Sequence, residues 1–289
     1  TLLRSLDRLD LFGDFTCEVV VVDNNSTDDT KDLVEEVSKA SSLIIKYAFE
    51  AIPGLGHARN PGLSEAPGDV LAFTDDDCIP EPDWVRMMAA KFSAEPSLAG
   101  LGGRVELYDE SDQAVTIRRK REIADLESDY RLFSLIAGCN MAFRRQVFDE
   151  IGSFDAVFGA GTKIASGEDS DFLYRAHKKG LTIRYYPDVL VYHDHGRKAD
   201  AEVNALLRGY GSGRGAFYCK HILLGDRVVM KMAVREVISI VRMLTRNLMA
   251  GHPIDRQKAA SYGLFWGVIR GLPIFLRRAI TATPSSTPR

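Results

Sequence analysis

Apolar and polar positions over the first eighty residues repeat in one order: an apolar run, a polar turn, then an amphipathic stretch. In "CEVVVVD", Val19 to Val22 form an unbroken apolar run, the pattern of a strand buried on both faces. "STDDTKDLVEEVSKA" then predicts a helix, with Ser26 or Thr27 as cap, acids in the first turn, and Leu33, Val34 and Val37 on one face. "LIIKYAF" reads as a second strand, "GLGHARNPGLSEA" as a loop entering a short helix, and "DVLAFTDDD" as a third strand. Strand, helix, strand, helix, strand predicts an α/β doubly wound unit whose ligands sit at the carboxyl ends of the strands. Asp23 and the run Asp75, Asp76, Asp77 both fall at such ends.

Further along, "PEPDWVRMMAAKF" predicts a helix with Pro80 and Pro82 near its start, and "LAGLGGRVEL" an edge strand. Residues 108–133 are charged and predicted to be helical in part. "LTIRYYPDVLVYHDHGR" reads as two short strands broken by Pro187. From about Lys198 the pattern turns helical and basic, and the last nine residues, "TATPSSTPR", read as a disordered polar tail. The predicted division is 1–197 as the catalytic domain, 198–280 as a basic amphipathic helical region, and 281–289 as the tail.

Composition changes this picture in three ways. An apolar fraction of 45% and a charged fraction of 27% fit an ordinary globular chain. The four cysteines are scattered, without metal-finger spacing, and read as reduced residues in a cytoplasmic protein. No leader precedes Thr1, and Arg270 and Pro273 interrupt the longest apolar stretch, Ser261 to Leu276, so neither a signal peptide nor a membrane span is expected. The net charge of −3 conceals an asymmetry: residues 196–289 hold 16 Lys and Arg against 5 Asp and Glu. An acidic front with a basic tail predicts an anionic partner for the tail. In "DRVVMKMAVREVISIVRMLTRNL", apolar residues alternate with Arg and Lys as in helices that lie on anionic membranes. Packing on the catalytic domain or a second subunit is the alternative use. No groove-reading or stacking motif points to nucleic acid.

The carboxylates carry the chemistry. Three adjacent acids after an apolar strand repel one another, and a divalent cation, Mg²⁺ or Mn²⁺, would neutralise them while binding phosphate oxygens. Read alone, the triplet also fits a solvated turn capping the next helix. In "SGEDSDFLYRA", Phe172, Leu173 and Ala176 give a helix face, so Glu168 and Asp169 sit at its N-terminus, where the dipole favours ionised carboxylates. Helix capping would select the same pattern.

"VVVVDNNSTDDT", "GLGHARN", "AFTDDD" and "GEDSDFLYRA", in that order, resemble the family-2 inverting glycosyltransferases with the GT-A fold over roughly residues 1–195. The resemblance implies a Rossmann-like, mostly parallel central sheet flanked by helices, with a C-terminal basic helical extension. It implies that Asp23 binds the nucleotide base, that Asn25 and Ser26 shape its turn, and that Arg59 reaches the base or diphosphate. It assigns Asp77 to the metal and Asp75 to the ribose or the metal's water shell, with Asp76 leaving the register open by one. Asp169 matches the catalytic base, supported by Glu168 or Asp171. A histidine, His193 or His195, completes the metal site or meets the diphosphate, and Asn140 in "GCNMAFRR" is a possible sugar contact. The glycine-rich Gly159–Thr162 stretch reads as a mobile loop or as tight turns, and Arg118 to Arg121 as a phosphate contact or a solvated helix face.

The activity implied is metal-dependent transfer of a sugar from a nucleotide-diphosphate sugar, UDP-linked, to a glycan or lipid-linked acceptor hydroxyl, on the cytoplasmic side and peripheral to the inner face of the membrane. Members of the family usually begin with a strand and a "PTYN"-like turn, which this sequence lacks, so it reads as missing its first strand. A sugar-nucleotide nucleotidyltransferase and a non-catalytic membrane-associated scaffold are the competing readings.

Overall fold

The structure, a computed structural model, describes residues 2–13, 15–127, 130–251 and 253–282. The chain divides into two units, residues 1–156 with 169–198, and residues 157–168 with 199–289.

The first unit begins with α1 (Leu2–Leu6), β1 (Glu18–Asp23), α2 (Thr30–Ala40), β2 (Ile44–Phe49) and α3 (Leu55–Glu65). The valine run forms β1 as expected, paired in parallel with β2. β3 (Val70–Phe73), β4 (Cys78–Pro80), α4 (Trp84–Ala94), β5 (Leu98–Leu107) and β6 (Ala124–Asp125) follow. β7 (Met141–Arg144), α5 (Arg145–Ile151), α6 (Glu168–Lys178) and β8 (Thr182–His193) complete the sequence of elements before the basic tail. The second sheet has the order β3-β7-β5-β8-β4, with β6 on β8. Among the described residues only β5 and β8 run parallel in it; the other pairs are antiparallel. The α/β architecture is therefore present, with a mixed sheet in place of a mostly parallel one.

Three expectations change. β5 is interior, because β7 and β8 flank it and its first six residues are buried. Its glycines make room for larger neighbours: a Cβ at Gly100 would lie 2.4 Å from the Phe143 ring. Residues 182–193 form one strand, not two. Pairing jumps from Gly103–Tyr186 to Arg104–Leu190, so Pro187 sits in a bulge where its missing N–H costs no ladder bond. Residues 108–133 are helical only at their end, in a 3-10 turn over Tyr130–Phe133; Arg118 instead bridges to Val105, so the start of the RRKR segment is extended and is not a helix face.

Asn140 anchors that bulge. It is fully buried; its Nδ2 donates to Val189 O at 3.0 Å and Arg104 O at 2.8 Å, and its Oδ1 accepts from Trp84 Nε1 at 2.9 Å. With its amide committed on three sides, Asn140 does not offer the expected sugar contact.

The second unit contains α7 (Asp200–Leu223), α8 (Arg227–Met249) and α9 (Asp255–Ala282). Helix α9 runs two residues into the expected tail, and the rest of that tail lies outside the described residues. α7 and α9 meet through glycines: a Cβ at Gly211 or Gly215 would fall 2.1 or 2.0 Å from the Ala260 or Leu264 carbonyl oxygen. From the other side, a Cβ at Gly263 or Gly267 would fall 2.1 or 2.0 Å from the Arg208 or Ser212 carbonyl oxygen. Residues Asp255–Thr281 are long and apolar enough, by length and composition, to cross a membrane, which interruption by Arg270 and Pro273 does not predict. On α8, Val229 and Met232 are buried, whereas Val228, Val234, Val237 and Val241 are exposed.

Replacing Asn140 with Ala leaves the Trp84 N–H and two buried carbonyls without their partner. Such orphaned groups cost about 1–3 kcal/mol each in protein interiors. We expect Asn140→Ala to lower the unfolding free energy by on the order of 3 kcal/mol, read from urea denaturation; an unchanged midpoint would contradict the anchoring role.

Candidate active site

Asp23 ends β1 and is buried. Its Oδ1 accepts from the Ser26 N–H at 2.8 Å and its Oδ2 from the Tyr47 hydroxyl at 2.8 Å. Burial pushes this carboxyl up, but the Ser26 and Tyr47 hydrogen bonds outweigh it and hold the group below its ordinary value. Bonded to that anion, the Tyr47 phenol is pushed up to about 12. Asn25 is exposed and left-handed at φ 61°, a turn conformation asparagine tolerates. Asn24, which the motif reading passed over, ties the turn down: its Nδ2 donates to Ile52 O at 2.8 Å and its Oδ1 accepts from Gly54 N at 2.6 Å, at the start of α3.

The third strand's acids separate by environment. Asp76 is exposed, while Asp75 and Asp77 are partly covered. Asp75 Oδ1 lies 3.5 Å from Arg59 Nη2. Burial pushes the Asp75 carboxyl up, against the opposing pull of the Arg59 guanidinium. Asp77 Oδ2 lies 3.1 Å from His193 Nε2. There burial is outweighed by the His193 contact, which holds Asp77 low. The chain thus distinguishes three adjacent carboxylates that the sequence leaves in one undivided register.

Arg59 and Asp169 meet at one peptide. The Gly138 carbonyl accepts from Arg59 Nη2 at 3.2 Å, and the Gly138 N–H donates to Asp169 Oδ2 at 3.1 Å. A Cβ at residue 138 would stand 2.8 Å from Arg59 Nη2 and 3.2 Å from Asp169 Oδ2, so glycine permits this approach. Asp169 Oδ1 takes the Ser170 N–H at 2.6 Å and the Ser170 hydroxyl at 3.2 Å. Among the described residues, Oδ2 therefore keeps a lone pair open. Asp171 is buried and bound to Arg175 Nε at 2.8 Å, a structural ion pair. Glu168 opens α6 and is buried.

The two histidines diverge. His193 is buried against Asp77, with Nδ1 2.9 Å from Thr116 Oγ1. The His195 side chain is fully covered; its Nδ1 accepts from the Arg197 N–H at 3.0 Å, beside Asp112. Asp77, Cys78 and His193 each offer one ligand atom within 4.8 Å of the others, a group that includes neither His195 nor Asp75. Carboxylate oxygen and imidazole nitrogen suit Mg²⁺ or Mn²⁺. The Cys78 thiol is pushed far up by its hydrogen bond with Cys139 and by burial, so it stays protonated and is the poorest donor of the three.

The family model described as Glycosyl transferase family 2 matches residues 1–152. Glycosyltransferase AglE of Haloferax volcanii is 27% identical over 177 residues, which span 61% of this chain and 56% of AglE. A glucosyl-dolichyl phosphate glucuronosyltransferase of the same organism is 25% identical over 58% of this chain and 52% of its own length. The chain spans little more than half the length of these relatives. Among solved structures, S. aureus TarS 1-349 in complex with UDP-GlcNAc has a TM-score of 0.58 at 18% identity, covering 97% of this chain and 82% of that one. The mannosyltransferase PcManGT from Pyrobaculum calidifontis, in complex with GDP-Man and Mn²⁺, has a TM-score of 0.56 at 18% identity, over 88% and 77%. With a family match across more than half of its residues and these neighbours in fold, the chain belongs to glycosyl transferase family 2 and has the GT-A fold.

Proposed function

We propose that the chain transfers a glycosyl group from a UDP-linked sugar to an acceptor hydroxyl, with inversion, by a single displacement. The observation that carries this reading is the Gly138 peptide, which holds Arg59 by its carbonyl and Asp169 by its N–H next to Asp75. Cationic and basic groups at one turn match the two demands of the reaction. Arg59 meets the charge that builds on the departing diphosphate. Asp169 Oδ2 takes the acceptor proton as the hydroxyl oxygen bonds to the anomeric carbon and the bond to diphosphate breaks. Asp23 offers its remaining lone pairs to the base N–H, with Asn25 shaping the turn. Glu168 supports Asp169 as the next residue on α6.

Asp77 and His193 would hold a divalent cation, with Asp75 towards the ribose or the cation's water; when bound, it supplies Lewis-acid charge to the diphosphate. The UDP assignment and the metal draw support from TarS, which binds UDP-GlcNAc, and from PcManGT, which binds GDP-Man and Mn²⁺. The dolichyl-phosphate relative supports a lipid-linked acceptor. Exposed Val234, Val237 and Val241 on α8, with exposed Arg235, Arg242 and Arg246 on the same helix, support docking on an anionic membrane surface.

Three outcomes test these proposals. UDP with Mn²⁺ at a hundred times its dissociation constant should stabilise the chain by about 2.7 kcal/mol, and Asp169→Asn should keep that shift while kcat falls about 10²- to 10⁴-fold. If no nucleotide shifts the melt, the scaffold reading gains. Tyr47→Phe removes one bond to the Asp23 carboxylate, so its pKa should rise, as followed by carbon-13 NMR. The sign follows: a depressed carboxyl stabilises the fold above its unfolded value, about pH 4, and loses that contribution as pH falls through the folded value. The variant should therefore lose less stability on acidification. Vesicles containing phosphatidylglycerol should pull down the chain where phosphatidylcholine vesicles do not, and Arg235→Glu with Arg242→Glu and Arg246→Glu should abolish the difference.

A further inference from the structure

The proposed transfer chemistry leaves the RRKR segment, Arg118 to Arg121, without a task. Arg118 N and O pair with Val105 O and N at 2.8 and 3.0 Å, which lays the segment against β5. From there Arg119 Nε reaches Glu106 Oε2 at 2.6 Å, and Arg121 Nη2 comes within 3.8 Å of Glu106 Oε1. Arg104, two residues before Glu106 and on the same face of β5, brings its Nη1 within 3.9 Å of that Oε1. Tyr185 of β8 joins the group: its hydroxyl lies 2.9 Å from Lys120 O and 3.2 Å from Arg118 O. Burial pushes this phenol up to about 12, against the pull of the nearby Arg104, Arg118 and Arg121 guanidiniums.

The group is short of negative charge. Among the described residues, its ion pairs set Arg104, Arg119, Lys120 and Arg121 against two carboxylates, Glu106 and Glu122. Arg118 donates only to carbonyls, those of Ile117 at 2.9 Å and Phe133 at 3.4 Å. Five cations less two carboxylates leave three positive charges in excess. Its donors are also unspent: Arg104 Nε and Arg118 Nε are buried with no hydrogen-bond partner. Buried donors are nearly always paired, so open ones beside excess positive charge mark a place for an anion with several acceptor oxygens. A phosphate has that charge and shape, and the guanidinium fork matches it.

This group adjoins the candidate active site. The Thr116 hydroxyl, two residues before Arg118, lies 2.9 Å from His193 Nδ1. Asn140 donates to Arg104 O at 2.8 Å and closes the turn whose Gly138 N–H holds Asp169. In the transferase reading, Arg59 and the Asp77–His193 pair already serve the donor diphosphate. We infer that Arg104, Arg118, Arg119 and Arg121 form a second phosphate site, which recognises a phosphate group carried by the acceptor. Calling the ligand the acceptor rests on the transferase reading; phosphate binding by these arginines does not.

The test is isothermal calorimetry on the whole chain saturated with UDP and Mn²⁺, with farnesyl phosphate, glucose 1-phosphate and farnesol as probes. The first two carry the same group on a lipid and on a sugar, and the tighter one names the source; farnesol should not bind. Arg119→Ala with Arg121→Ala, both at exposed positions, should weaken the phosphate probes about 10- to 100-fold and leave UDP affinity unchanged. Glu106→Gln removes the carboxylate that competes for three of these arginines and should tighten the same probes, a change opposite in sign to any loss through misfolding. In nitrogen-15 arginine spectra, the Arg104 and Arg118 Nε–H signals should move with the phosphate probes and stay in place with UDP. The inference is overturned if neither phosphate probe binds, if farnesol binds as well as farnesyl phosphate, if the double alanine variant keeps full affinity, or if UDP competes with the probes. If UDP itself never binds, the transferase reading fails instead, and the phosphate titrations without UDP still decide the role of the arginines.

Discussion

Three carboxylates at the end of one strand repel each other, and the surrounding chain is organised to answer that repulsion. The answers differ from residue to residue. Asp76 is left to water. Asp75 is given a permanent cation, Arg59, yet burial still raises its carboxyl. Asp77 is given His193 and is held low. Neighbours one residue apart are thereby pushed in opposite directions, the separation expected where adjacent acids have different tasks. Each answer comes from a distant element: α3 supplies the arginine and the end of β8 the histidine.

The turn carrying Gly138 ties this charge arrangement to Asp169. Its precision depends on Asn140, which closes the same turn by donating its N–H to Ala137 O at 3.0 Å and whose carbonyl accepts from Gly103 N at 3.1 Å. The side chain of Asn140 also satisfies Val189 O, which the Pro187 bulge removes from the β-ladder. A residue expected to touch the sugar instead fixes the turn that aligns Arg59 and Asp169. The bulge and the Gly138 turn are thus mechanically one feature. Binding surfaces need such rigid supports, because small displacements of reacting groups cost large factors in rate.

Local signals in the sequence identify β1, the acid-ended strand, the start of α6 and the basic helices, because each depends on periodicity or on residues within one turn. What the sequence hides are the partnerships. β5 reads as an edge, although Phe143 and Ile136 fill from elsewhere the space its glycines leave. Pro187 looks like a break because a bulge is visible only against the register of β5. Both histidines share a face of the chain, but the Arg197 N–H and Asp112 claim one, and Asp77 claims the other. Thr116 has no motif at all; its partner is 77 residues away.

The second unit follows a different physical rule. Where two helices approach through glycine, their contact rests on backbone proximity and dispersion, and their large apolar side chains are not needed to hold them together. That is the state of α7 and α9: Gly211, Gly215, Gly263 and Gly267 form the seam, while Tyr262, Phe265, Ile269, Leu272 and Leu276 remain exposed. An ordinary water-facing helix buries its apolar stripe and exposes its polar one. Here the glycines are inside together with Phe217, Tyr218 and Phe275, while a row of large apolar side chains on α9 stays exposed. Exposed Arg277 and Arg278 on α9, and the arginines of α8, add a positive charge that a neutral apolar partner would leave unpaired and an anionic lipid headgroup would meet. That surface is what the proposed docking on an anionic membrane would use.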